Sequence, residues 1–404
     1  KMTLNQLIND KGKPKILIDN WGNKNKGYAC FNFIETIIWN KEGLFFNDTH
    51  IKDPNLNDLQ HVLDSWKDGR NEVCAVGFIN YNFKNILYPH IKFNKKSKNN
   101  SPYVYFVKPE KLFAYDIDDE PSLIDINLDL IEDILNISDY EKIINYIKNK
   151  LKNGDVYQIN YTMKKKFKIN NKPIDIYLNM RQRAKPKFGY YLELEDLSIL
   201  SFSPEQFFKI ENNNIFSYPM KGTRPRSSDK KQDLIFKNDL KKSEKDKAEH
   251  LMIVDLLRND IGKISKYGTV NVKDLFNVES FETVHQMVSE VSGILKNNIN
   301  ETKIIKALFP GGSITGAPKE SAMKIIDKIE NYERNIYTGA IGYICNNGDM
   351  NFNMPIRTMT IKNNYGTYPV GGGIIWDSVT MEEWKEAQLK SEILNKVANK
   401  EYEV

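Results

Sequence analysis

The sequence predicts an α+β protein, a layered α/β body of large mixed β-sheets flanked by helices. Two observations carry this. Short apolar runs of strand length, punctuated by polar residues, recur along the chain, and stretches with helical spacing fall between them. Strand runs mixed with helices, with no internal repeat, point to sheets covered by helices. Size agrees: 404 residues, 40% hydrophobic and 27% charged, can bury a large core.

In the first third, Lys15–Ile18, Cys30–Trp39, Val73–Tyr81 and Tyr103–Val107 read as strands, and Leu56–Trp66 as a helix. The acidic stretch Asp116–Asp133, weakly periodic and containing Pro121, reads as a connection. It joins an N-terminal β-rich part, residues 1–135, to a main body, residues 136–404. That body opens with a helix. Ser138 and Glu141 have the spacing of a capping box, Ile143, Ile144, Ile147 and Leu151 keep helical spacing, and Gly154 stands at a C-cap position. In the following strand Tyr157, Ile159 and Tyr161 alternate with Gln158, Asn160 and Thr162, predicting one apolar and one polar face. Hairpin-like strands are expected at Tyr190–Glu195, Ser198–Phe202, Phe207–Glu211 and Ile215–Tyr218, then a long helix over Ser243–Leu257. Further strands fall at Tyr337–Cys345, Phe352–Thr360 and Gly366–Val370, and a last helix at Met381–Val397.

Net charge is +5, but 58 basic residues stand against 53 acidic ones, without the clustered cations of a nucleic-acid footprint. The basic runs Lys92–Asn100 and Lys164–Lys168 read as a solvated loop and the exposed end of a strand. Cys30, Cys74 and Cys345 lie far apart, form no metal spacing and suit a reducing cytosol. Neither a signal-peptide core in Lys1–Asp10 nor an apolar run of membrane-spanning length is present, so a cytoplasmic protein without membrane contact is expected.

Four features carry chemistry. In Ser217–Arg226, Lys221 stands before Gly222 and Thr223, with Arg224 and Arg226 close behind. A lysine beside other cations is a candidate for a lowered pKa, and a neutral amine is a nucleophile; the alternative is a solvated basic turn. Asp246 with Glu249, and Glu383 with Glu386, are carboxylate pairs at i, i+3 on two predicted helices. Converging, they would need a hard divalent cation such as magnesium; apart, they would pair with Lys245, Lys247 and Lys385. Pro310–Lys319 is a near miss to a triphosphate-binding loop, with Ala317 where the lysine belongs. What remains is a glycine-rich loop entering a helix with Pro318 in its first turn, where free N–H groups suit a carboxylate; a plain tight turn is the alternative. Finally, Arg357 can grip a carboxylate bidentately and Gly371–Gly373 let the backbone approach it, or they form an edge arginine and a flexible turn.

The stretch around Lys221 resembles the Pro-Ile-Lys-Gly-Thr signature of chorismate-binding enzymes, the anthranilate synthase component I family, with Met220 for isoleucine. Asp246–Asp260 resembles the family's acidic-helix motif, and Asp377-Ser378 with Glu383 and Glu386 its C-terminal one. Gly312–Lys319 resembles its Gly-x-x-x-Gly-Ala-Pro-Lys segment. The resemblance spans Ser138–Lys396. It implies that fold, with magnesium held most directly by Glu249 and Glu386 and Asp246 and Glu383 in its outer shell. Gly316 and Ala317 would lie near chorismate, and Tyr337, Arg357 and the backbone at Gly372 and Gly373 would hold a carboxylate. His285 would help the C4 hydroxyl leave. Ser203-Pro204-Glu205 counts as scaffold. Gln158 stands where water-adding members carry a basic lysine, and Lys221 where anthranilate synthases carry alanine. The pair, with Thr223, therefore implies the aminodeoxychorismate synthase branch: chorismate and ammonia give 4-amino-4-deoxychorismate through a covalent Lys221 intermediate, on the way to para-aminobenzoate and folate. The ammonia would come from a separate glutamine amidotransferase subunit, since no nucleophilic cysteine in a glycine-rich elbow is present. The rivals are anthranilate synthase component I, opposed by Lys221, and an inactive chorismate-binding paralogue, opposed by the survival of all four acids.

Overall fold

The computed structural model describes residues 2–20, 25–94, 101–117, 125–281, 284–391 and 394. Within them, two sheets stack face to face and helices cover both outer faces. The first sheet runs, in spatial order, Gly316–Ala317, Gln158–Ile169, Tyr365–Ile374, Thr358–Lys362, Ser198–Ser203, Phe188–Glu193, Ile16–Asn20, Lys26–Cys30 and Phe113–Asp116, with Leu128–Glu132 also paired to Gln158–Ile169. The second runs Met220–Pro225, Val284–Ile294, Asn214–Ser217, Gln206–Glu211, Met350–Asn353, Ala340–Cys345, Val73–Ile79, Val104–Pro109, Phe33–Asn40, Gly43–Phe46 and Thr49–Ile51, with Asn271–Ser280 paired to Val284–Ile294. The α+β expectation holds. The sheets are not mixed in direction, however: every ladder among the described residues is antiparallel. The N-terminal strands extend both sheets, Ile16–Asn20 pairing with Phe188–Glu193 and Val73–Ile79 with Ala340–Cys345.

Burial makes the layers. Ile16, Ile18, Tyr190 and Leu192 from the first sheet meet Val76, Phe78, Val107 and Ile341 from the second, and this apolar seam holds the sheets together. Outside the first sheet pack Leu4, Tyr140, Ile144, Ile147, Ile176 and Ile326 from four helices. Outside the second pack Leu59, Leu63, Ile253, Leu257, Ile304 and Leu308 from three. The helix Ile137–Lys152 starts one residue earlier than its proposed capping box. Asn136 is the cap, its side chain accepting from Asp139 N at 2.9 Å, and Ser138 lies inside the helix. The acid helix runs Glu244–Ile264, capped by Ser243 and longer than expected. Helices at Leu4–Lys11, Pro173–Ala184, Lys230–Lys242 and Glu301–Leu308 were not foreseen. The last helix is Thr380–Leu389; most of the expected stretch beyond it, and residues 95–100 of the basic loop, lie outside the described residues.

Three predicted strands behave differently from their pattern. Cys30–Trp39 divides between the sheets, ending one strand at Cys30 and beginning another at Phe33. The first half of Gln158–Ile169 has no polar face turned to water: Gln158, Asn160 and Thr162 are buried and Tyr157 is exposed. The sheets and the covering helices enclose both sides of it. Lys164–Lys168 forms the outer end of this strand, with Lys168 exposed as expected, Lys165 buried, and Lys164 and Lys165 paired to Glu132 and Asp133. Phe352–Thr360 breaks at Pro355, which has no N–H for a ladder, and the chain passes from the second sheet to the first. Ser203-Pro204-Glu205 makes the reverse passage beside it. Ser203 Oγ donates to Met354 O at 2.5 Å, Met354 N to Glu205 O at 3.1 Å, and Phe202 N to Arg357 O at 3.0 Å. Glu205 and Arg357 thus stand at one double crossing.

Phe352 sits at the centre of the second sheet, fully buried and stacked on Phe208 at 5.3 Å with Phe106 edge-on at 6.2 Å. Phe352→Ala should cost about 3–5 kcal/mol. Urea unfolding followed by circular dichroism should show a clearly lower midpoint; an unchanged midpoint would contradict this packing.

Candidate active site

Lys221 lies on the strand Met220–Pro225, not in a turn. The ladder to Val284–Ile294 shifts register between Lys221 and Thr223, so one residue bulges out. Gly222 supplies the φ of +65° the bulge needs, and a side chain there would meet Asp246 Oδ1 at 2.9 Å. The bulge re-aims Lys221. A Cβ built on Gly373 would lie 3.3 Å from Lys221 Nζ and 2.7 Å from Gln158 Nε2, so both side chains end over the Gly373 backbone. Gln158 is fully buried, and neither of its amide atoms has a hydrogen-bond partner among the described residues. Leaving such groups unpaired costs about 1–3 kcal/mol each, which marks a place built for a polar ligand.

The two acid pairs do face this point. Burial pushes the Glu249 carboxyl up, against the pull of Lys221 and Lys245, and the charges of Asp246 and Glu383 push it the same way. Burial likewise raises Glu383, with Ser378 opposing and Glu386 adding. Glu386 is lowered, first by Lys390, whose Nζ lies 2.8 Å from Glu386 Oε1 and 2.8 Å from Gly371 O. Asp246 accepts from Arg224 Nη2 at 3.0 Å. Facing carboxylates of this kind are the donor set a hard cation prefers. Yet no three His, Cys, Asp or Glu groups among the described residues stand close enough to form a ready metal cage. The four acids share one neighbourhood, two of them held by basic side chains.

Other expected residues fall elsewhere. Arg224 and Arg226 do not surround Lys221 as free charges: Arg224 binds Asp239 and Asp246, and Arg226 binds Asp233 at 2.8 and 3.0 Å. Thr223 is exposed and accepts weakly from Gln286 Nε2 at 3.5 Å. His285 is 1% exposed, its Nε2 3.0 Å from Asp233 Oδ1 and its Nδ1 3.0 Å from Ser280 Oγ. With both ring nitrogens engaged, it serves the Arg226–Asp233 network and is not brought to Lys221. The glycine-rich loop does enter a helix, Lys319–Ile329, with Pro318 as its cap and not inside its first turn, and Gly316 and Ala317 before it form a two-residue strand against Gln158 and Ile159. Gly316 has φ of +136°, and a Cβ there would strike Gln158 O at 2.1 Å. Arg357 is exposed, at φ of +50°, and pairs with no carboxylate among the described residues. Its charge is felt by the buried Tyr368 hydroxyl, which lacks a partner and which burial pushes up. Tyr337 is buried beside Tyr368.

Sequence reasoning missed Glu205, Tyr368 and Lys390. Glu205 was read as scaffold, but burial pushes its carboxyl up while Lys221, the Ser313 hydroxyl at 3.1 Å and Lys390 pull it down. The signal available was an acid directly after Ser203-Pro204, a turn with no need of one.

The family described as chorismate binding enzyme matches residues 13–396. The chain belongs to that family. Among curated members it is 33% identical to anthranilate synthase component 1 of Saccharolobus solfataricus over 376 residues, 89% of this chain and 88% of that protein. It is 42% identical to aminodeoxychorismate synthase component 1 of Escherichia coli over 236 residues, 58% of this chain and 52% of that one. It is also 40% identical to the chloroplastic aminodeoxychorismate synthase of Arabidopsis thaliana over 259 residues, 63% of this chain and 28% of that one. The match to the latter two thus spans about half and about a quarter of their lengths. The crystal structure of anthranilate synthase component I from Streptococcus pneumoniae superposes with a TM-score of 0.80 at 25% identity over 92% of both chains. The menaquinone-specific isochorismate synthase of Escherichia coli shares the fold, with a TM-score of 0.75 at 14% identity over 96% of this chain and 89% of that one. No helix among the described residues of this chorismate-binding enzyme is long and apolar enough to cross a membrane.

The raised Glu205 carboxyl makes a pH prediction. A group whose pKa is higher folded than unfolded loses its contribution to stability as the pH rises from the ordinary glutamate range through the folded value. Glu205→Gln, uncharged throughout, should match wild-type stability at pH values below the ordinary glutamate range, exceed it as the pH rises through the folded value, and keep a constant advantage above it. Melting temperatures of both proteins across these pH values test it; a gap independent of pH would remove the burial argument.

Proposed function

We propose that this chorismate-binding enzyme aminates chorismate at C4, giving 4-amino-4-deoxychorismate. The observation that supports this most is the meeting of the Lys221 amine and the orphaned Gln158 amide over Gly373. The Lys221 amino group, a nucleophile once it has given up a proton, points into the site, and the neighbouring side chain is an amide that cannot act as a base to activate water. In the reaction, the Lys221 nitrogen bonds to ring carbon C2, the ring double bond shifts, and the C4–oxygen bond breaks. Glu205, beside Lys221, takes the proton that frees the Lys221 nitrogen to attack and passes it to the hydroxyl, which leaves as water. Ammonia then bonds to C4, the double bond shifts back, and the C2–nitrogen bond to Lys221 breaks. Arg357 and the Tyr337–Tyr368 pair hold a carboxylate at the far side. Glu249 and Glu386 would hold a magnesium ion directly, with Asp246 and Glu383 behind them; when bound it would neutralise a substrate carboxylate. The ammonia is expected from a glutamine amidotransferase partner, and a cytoplasmic role in para-aminobenzoate and folate synthesis follows.

A second reading is anthranilate synthase component I, favoured by the near-full-length match to the Saccharolobus protein. Lys221 separates the two. Incubation with chorismate, magnesium and ammonium should give aminodeoxychorismate; anthranilate as the main product would overturn the proposal.

Three variants probe the mechanism. Wild-type protein incubated with chorismate without ammonia should carry a substrate-derived mass on the Lys221 peptide. Lys221→Ala should lose that mass while retaining slow amination, and Lys221→Arg should be worse than alanine. An adduct-free wild type with an active Lys221→Arg would leave Lys221 only an electrostatic role. Glu386→Gln should reduce turnover by about 100-fold or more with the fold intact, as expected when a metal-bound charge stabilises the transition state. Near-normal turnover at low magnesium would remove Glu386 from the metal site.

A further inference from the structure

The groups assigned to substrate come from separate pieces of chain: Gln158 from a strand, Gly316 and Ala317 from a short neighbouring strand, and Tyr337 from the turn before Ala340–Cys345. One buried ion pair bonds to the first of these, to the loop residue Ile314 that leads into the second, and to the turn that carries the third. Arg334 and Glu330, each with a side chain 1% exposed, pair through Arg334 Nε to Glu330 Oε2 at 2.9 Å and Nη2 to Oε1 at 2.7 Å. The other guanidinium hydrogens go to Asn160 O at 2.6 Å, Ile314 O at 2.7 Å and, more weakly, Thr338 Oγ1 at 3.3 Å. Glu330 Oε1 also accepts from Thr162 N at 3.0 Å and Thr162 Oγ1 at 2.7 Å.

The placement has a backbone logic. On the edge of Gln158–Ile169 away from Tyr365–Ile374, Gly316–Ala317 pairs only as far as Ile159, and Leu128–Glu132 pairs only from Lys166 onwards. Asn160 N is still met by Thr315 O at 2.9 Å, but Asn160 O and Thr162 N then have no strand beside them. Arg334 supplies the donor and Glu330 the acceptor that a neighbouring strand would have offered. The pair thus stands in for a missing piece of ladder, and in doing so fixes the Gln158 strand, the 312–317 loop and the Tyr337–Thr338 turn to one another.

We propose that Arg334 and Glu330 are positioning residues that set the spacing of Gln158, the Gly316–Ala317 loop and Tyr337, and through them the affinity for chorismate. This rests on the reading of the site as a chorismate site. Arg334→Lys keeps the charge and loses the planar fork, so the chorismate KM should rise about tenfold with kcat within about twofold and the ammonium KM unchanged. Thr162→Val, an isosteric loss of one hydroxyl, should raise the chorismate KM about threefold, and Thr162→Ser should restore it. Thr162→Val carries the test if Arg334→Lys does not fold. Folded variants with wild-type chorismate KM would overturn the proposal. So would parallel changes in both KM values that track a lower melting temperature, which indicate a purely structural role. A wild type that neither binds nor turns over chorismate would instead remove the functional reading, and calorimetric titration of chorismate into the wild type separates the two failures.

Discussion

The long antiparallel ladder between Gln158–Ile169 and Tyr365–Ile374 governs the geometry of the site. It joins residues from Ile159 opposite Ile374 to Lys168 opposite Tyr365. A slip of one residue would turn every side chain of either strand to the opposite face. Gln158 would leave Gly373, and Tyr368 would leave the core beside Tyr337. The helix bearing Glu383 and Glu386 follows directly from the second strand and packs on it, so its acids inherit the same register. Burial on both faces makes such a slip costly, because polar and apolar side chains alike have fitted surroundings on each side.

Charge around the site is divided into paired and open groups. Arg224, Arg226 and His285 are absorbed by Asp233, Asp239 and Asp246 on the outer side of the bulged strand. Lys221, Gln158 and the raised carboxyls of Glu205, Glu249 and Glu383 face inward without complete compensation. An anionic substrate together with a cation would complete both halves of that arrangement, since each neutralises what the other leaves exposed.

Residues whose role is local were legible in the sequence. The long helix from Ser243 and the i, i+3 acid pairs on helices follow from short-range rules, and they hold. The α+β class followed from strand runs mixed with helical spacing. Long-range pairing was not legible. The alternation Tyr157–Thr162 signalled a half-exposed strand because nothing in six residues reports a second covering layer. Arg224 and Arg226 looked like free cations because Asp233, Asp239 and Asp246 lie on helices whose docking no local pattern encodes. His285 was placed by motif position, and its charged partner Asp233 comes from the distant helix Lys230–Lys242, itself almost without buried apolar residues and so without a clear periodic signal.

The double crossing and the long ladder also bear on how the protein is made. Roughly 200 residues separate the strand Gln158–Ile169 from its partner Tyr365–Ile374, which is about 10–40 s of ribosomal synthesis. During that interval the earlier strand has an open edge, and Glu205 cannot be locked against Met354, which has not yet emerged. The nascent chain therefore carries an apolar, hydrogen-bond-hungry surface for a long time and gains its chemistry only in the last step of assembly. Dependence on chaperones at that stage, and degradation of stalled chains, are direct consequences of placing both halves of one site so far apart in the gene product.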